Sequence, residues 1–156
     1  MEDEKHFRDL CDSGERKGTH PDDIVRAARS LGFDAELHEH MSLKELISYI
    51  SHKIPVIVNI QAWSNEKNPL KKAKAYNKLE DGHYVVAIGF NDANIYFEDP
   101  SEKDSRMFIP KTEMIRRWKD KEAYDQHSET FGLGIVIRSH TPPKEKQVIN
   151  KVKKLP

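Results

Sequence analysis

The chain has 156 residues, with 26 basic and 26 acidic side chains and a single cysteine. This length suits one domain with a real core, and zero net charge argues against a dedicated nucleic-acid or anionic-membrane binder. One cysteine excludes an internal disulfide and a Cys-based zinc cluster. A polar N-terminal stretch and the lack of any apolar run near the roughly 20 residues of a membrane span point to a cytoplasmic domain.

Residues 3–11 read as a short helix with Phe7, Leu10 and Cys11 on one stripe, followed by a polar loop to Gly18. Pro21 suits a first helical position, Asp22 and Asp23 suit the positive helix start, and Ile24, Ala27, Ala28 and Leu31 have helical spacing up to Gly32. Phe33, Ala35 and Leu37 alternate with Asp34, Glu36 and His38, as on a half-buried strand. Ser42 and Glu45 form a capping box before a helix carrying Leu43, Leu46, Ile47 and Ile50. Pro55 opens the apolar run Val56–Ile60, read as a central strand.

The stretch 63–82 is a long excursion holding Trp63, Tyr76 and many lysines. His83–Phe90 and Asn94–Glu98 then make a hairpin about the turn residues Asn91-Asp92-Ala93. A strand is expected over Arg106–Ile109, a helix over Thr112–Lys119 burying Met114, Ile115 and Trp118, and a last strand over Gly134–Arg138. Residues 1–139 would form the domain and 140–156 a lysine-rich tail that Val148, Ile149 and Val152 could dock. Two helices followed by hairpin-linked strands give an α+β fold with an antiparallel sheet.

A hairpin brings the start of its first strand beside the end of its second, so His83 and Asp99 should meet at the open end. A carboxylate that orients an imidazole fixes its tautomer and stabilises its cation, the arrangement a general base requires. Spacing alone leaves open a hydrogen bond that merely closes the sheet. Gln61 and Trp63 fall just past the central strand, where an amide and a ring could line a substrate groove or serve ordinary strand-end packing. Glu36, His38 and His40 are explained by a solvated strand face rather than a metal site. Gly132 and Gly134 are too sparse for a phosphate loop, and the lysine groups at 71–74 and 144–154 have compensating acids elsewhere. No metal or cofactor is expected.

Gly18-Thr19-His20-Pro21, Ile24 to Gly32, Ile54-Pro55-Val56, Gly82-His83-Tyr84-Val85-Val86 and Glu98-Asp99-Pro100, in that order, resemble the bacteriocin-processing peptidases that cut after a double-glycine leader. The resemblance implies a papain-like cysteine peptidase fold, with N-terminal helices packed on an antiparallel sheet. It also implies hydrolysis of a peptide, with His83 as base and Asp99 as its orienting partner. The chain departs from the family where the nucleophile should stand. The family's cysteine opens a helix upstream of the Gly-Thr element, is followed by glycine and is preceded by an oxyanion-hole glutamine. Cys11 is followed by Asp12, lies seven residues before Gly18, and no glutamine precedes it. Acidic neighbours and a helix C-terminal end would raise its pKa, so it reads as a structural thiol.

Three expectations follow. The chain is a peptidase domain whose nucleophile lies outside these residues, inactive alone, with an apolar face left for a partner chain, a second copy, or the first helix and tail to cover. Alternatively, it is a non-catalytic peptide-binding relative. A third course is another small-molecule hydrolase or transferase, which nothing in the sequence selects.

Overall fold

The computed structural model describes residues 4–14, 18–62, 68–79, 81–101, 106–121, 129–140 and 152–154. The helices are α1 Glu4–Leu10, α2 Pro21–Ser30, α3 Leu43–Ser51, α4 Pro69–Tyr76 and α5 Lys111–Arg117. The first five strands are β1 Asp34–His38, β2 Val56–Gln61, β3 Gly82–Phe90, β4 Asn94–Glu98 and β5 Arg106–Pro110. The others are β6 Lys119–Lys121, β7 Glu129–Phe131, β8 Gly134–Arg138 and β9 Val152–Lys154.

A seven-stranded sheet runs in the order β1-β8-β2-β3-β4-β5-β9, and β6 and β7 form a separate ribbon. The pairings from β1 to β5 are antiparallel, whereas β9 joins β5 in parallel. The apolar run of β2 thus lies between β8 and β3, as expected for a strand covered on both faces. Alternation assigns its side chains: Val56, Val58 and Ile60 are fully buried on one face with Val85, Ala87, Ile95, Phe97 and Ile109. Leu46 and Ile50 of α3, with Met114 and Trp118, close that core. On the opposite face Val25 and Ala28 of α2 pack against Ala35, Leu133 and Ile135, with Ile57 and Tyr84 at the margin.

Local chemistry explains the two best-defined helices. Pro21 stands at the start of α2, where the His20 side chain accepts the Asp22 N–H. The Ser42–Glu45 capping box of α3 is complete. Gly32, at φ +83, takes the left-handed conformation that ends α2 without Cβ strain.

Several expectations are corrected. Ile115 is 68% exposed, because α5 turns Met114 and Arg117 inward and Ile115 stands about a quarter turn from Met114. Phe33 lies outside β1 and is 40% exposed, and α1 buries no residue, with Phe7 44% exposed. The lysine-rich excursion contains α4, and Val152, one of the residues expected to dock the C-terminal stretch, lies in edge strand β9. Tail residues Val148 and Ile149 lie outside the described residues. Among the described residues no helix is long and apolar enough to cross a membrane.

Candidate active site

The β3–β4 hairpin delivers the expected juxtaposition. His83, at the start of β3, and Asp99, just past β4, lie with Nε2 and Oδ1 2.8 Å apart. The imidazole is 16% exposed and the carboxylate is completely buried. Asp99 Oδ1 also accepts the Ser101 N–H at 2.8 Å and the Ser101 hydroxyl at 2.6 Å. Burial alone would raise the pKa of Asp99, but the bonds from Ser101 and His83 outweigh it and hold the carboxyl below its ordinary value. An ionised carboxylate only accepts, so Nε2 carries the proton in this bond and Nδ1 is the basic nitrogen of neutral His83. A pair of this kind can take a proton through Nδ1 and stabilise the resulting imidazolium.

Oδ2 of Asp99 is buried and has no hydrogen-bond partner among the described residues. Asp99 stands at one end of an apolar groove of about 480 Å³, whose floor is Ile57, Tyr84 and Val86 and whose wall includes Phe7, Cys11 and Ile24. Cys11 thus shares a groove with Asp99. Its N–H bonds to Phe7 O at 3.0 Å, placing the thiol at the C-terminal end of α1. Burial, then the charge of Asp23, push the thiol pKa up against a smaller opposing effect of Arg26. Such a thiol is a poor nucleophile at neutral pH.

Gln61 is 1% exposed, and its amide is engaged within the fold. Nε2 donates to Lys119 O and Asp120 Oδ1, both at 3.1 Å, and Oε1 accepts the Asp81 N–H at 3.1 Å. The amide therefore binds strand ends rather than facing a groove. Trp63 lies outside the described residues. Arg117, fully buried, donates to the Gln61 and Ala62 carbonyls and pairs with Glu113 at 3.3 Å.

Three residues escaped sequence reading. Ser101 was recoverable, since a hydroxyl residue two places after Asp is ordinary Asx-turn chemistry. Asp120 had no local signal. Its carboxylate sits over the start of β3, where a Cβ on Gly82 would come within 2.0 Å of Asp120 Oδ2. The one available hint was a glycine at a strand start, which permits close approach of another group. Asn59, on the polar side of β2, donates from Nδ2 to Asp120 Oδ2 at 2.8 Å. Elsewhere, Glu36 and His38 bond at 3.1 Å, and no group able to hold a metal occurs among the described residues.

A largely antiparallel sheet with helices on both faces, and a His–Asp pair at its open end, defines a domain of papain-like fold. The sequence model of the Peptidase_C39 like family matches residues 7–126, and the chain belongs to that family. Its fold is similar to that of the peptidase domain of Streptococcus ComA, a bi-functional ABC transporter involved in a quorum sensing pathway. The TM-score is 0.52 at 23% identity, over 85% of this chain and 75% of that one. The peptidase domain of Streptococcus mutans ComA gives 0.53 at 23% identity, over 86% of each chain. A candidate C39-like peptidase from Bacillus anthracis gives 0.56 at 14% identity, over 80% of this chain and 62% of that one. No protein with curated functional information matches the sequence.

Proposed function

We propose that this domain is the base-bearing part of a cysteine peptidase acting on peptides, with His83 as base, Asp99 as its orienting partner and a nucleophilic thiol from outside these 156 residues. The observation that carries the reading is the 2.8 Å bond between His83 Nε2 and a buried carboxylate, which makes Nδ1 the proton acceptor. Attack by a thiolate paired with His83 on a scissile carbonyl would form an acyl-enzyme, with the imidazolium returning its proton to the leaving amine. Cys11 does not fit that role, because burial and Asp23 disfavour its thiolate. A segment bringing the thiol would seat its apolar side in the groove over Ile57, Tyr84 and Val86.

The second reading is a non-hydrolytic peptide-binding module, supported by the same suppressed thiol. A peptide carrying a cysteine-directed electrophile separates the readings. On the 156-residue chain alone, both readings predict that Cys11 reacts more slowly than free cysteine at neutral pH, followed by intact mass. Adding a separate family segment that carries the nucleophilic cysteine should restore labelling and cleavage if the first reading holds, and His83→Ala should abolish cleavage. Peptide binding without cleavage after that addition would favour the second reading. Fast stoichiometric labelling of Cys11 would sink both.

A further inference from the structure

A second cavity, of about 500 Å³, adjoins the apolar groove, the two sharing Thr19 and Tyr84 in their walls. It reaches Gly82, the residue directly before His83, and is lined by Asn59 and Asp120. We infer that this cavity is a subsite for a cationic side chain, lysine or arginine, of the bound peptide; the inference rests on the peptide-binding character proposed above.

The carboxylate of Asp120 is fixed by amides rather than by a cation. Asn59 Nδ2 donates to its Oδ2 at 2.8 Å, while Gln61 Nε2 at 3.1 Å and the Lys121 N–H at 2.8 Å serve its Oδ1. Gly82 has no Cβ, which lets this carboxylate lie against β3. No lysine, arginine or histidine stands within ion-pair distance of Asp120 among the described residues, including Lys121, which also lines the cavity.

Acceptors are in surplus here. The Asn59 amide must turn its nitrogen to Asp120, and its Oδ1 is then buried with no donor among the described residues. Glu39 and Asp22 add carboxylates to the wall, against His20 and Lys121. A carboxylate with no counter-charge beside an unmatched carbonyl oxygen favours a ligand that brings positive charge and N–H donors. A neutral or acidic side chain would leave the Asp120 charge uncompensated.

The test uses the full chain, labelled with 15N, titrated with Nα-acetyl-lysine methylamide and with its norleucine counterpart. The lysine probe should shift the amides of Gly82, Tyr84 and Lys121 and bind roughly tenfold more tightly than norleucine. Asp120→Asn, which keeps the side-chain shape, should remove that preference while leaving the remaining amide spectrum in place. Glu39→Gln, at the wall, should weaken the preference only in part. Equal binding of the two probes, absence of shifts, or shifts confined to other faces would overturn the subsite. Because neither probe is cleaved, a failure of the proposed peptidase chemistry would leave this preference measurable, and loss of the preference would leave cleavage intact.

Discussion

Ser101 sets the state of the His83–Asp99 pair. Two of the three donors on Asp99 Oδ1 come from this residue, and they hold the carboxylate toward His83. Ser101→Ala removes the hydroxyl bond and should move the Asp99 pKa upward, readable by 13C titration of its carboxyl. The sign for stability follows from the lowered native pKa. The contribution is complete above the unfolded carboxylate value of about 4 and is lost as pH falls through the lower native value. The variant should therefore lose stability at neutral pH, by about 1.5–3 kcal/mol for a hydrogen bond to a charged group. Its urea midpoint should also vary less with pH on the acid side. An unchanged Asp99 titration would show that Ser101 does not control the pair.

At the scale of elements, what was legible depended on how local the cause was. α2 and α3 begin with chemistry written within four residues, Pro21 with Asp22 and Asp23, and Ser42 with Glu45, and both form as expected. The β3–β4 hairpin was equally readable, since Asn91 Oδ1 accepts the N–H groups of Ala93 and Asn94 that make its turn. α5 misled because apolar spacing assigned Ile115 to the core, whereas the inward place went to a charged residue. Arg117 is buried because β2 ends with carbonyls at Gln61 and Ala62 that have a guanidinium as donor, with Glu113 as counter-charge. Arg117→Met should therefore destabilise the domain by about 3–5 kcal/mol, since it removes the counter-charge of Glu113 and the guanidinium donor of two carbonyls. Chemical denaturation measures the loss, and a change under about 1 kcal/mol would mean that water replaces the guanidinium. The same substitution should loosen Gln61, whose amide holds Asp120.

For the whole molecule, the two sheet edges differ. β1 ends one side, and on the other β9 pairs in parallel with β5 over Arg106↔Val152 to Phe108↔Lys154. An edge left open offers unpaired backbone groups to other chains. Ending the chain at residue 140 should expose β5 and raise self-association with concentration, measured by sedimentation velocity. A truncated chain that stays monomeric with unchanged stability would show that β9 does not guard the edge.

The sequence by itself determined the α+β class, the main strands and helices of residues 21–138, and the meeting of His83 with Asp99. Each of these follows from periodicity, caps or a hairpin, whose causes lie close together along the chain. It also marked Cys11 as badly placed for a nucleophile. Only the tertiary structure decided that Gln61 is spent on Asp120 and on the turn at Asp81, and that Arg117 is the largest fully buried side chain. It alone placed Asp120 over Gly82 and brought two cavities together at Thr19 and Tyr84. Those contacts cross 20 to 60 residues, and they arise because burying the sheet leaves polar groups that must find partners wherever packing brings them. The lone thiol shows both levels at work: its neighbours in sequence argued against it, and its burial beside Asp23 supplied the physical cause.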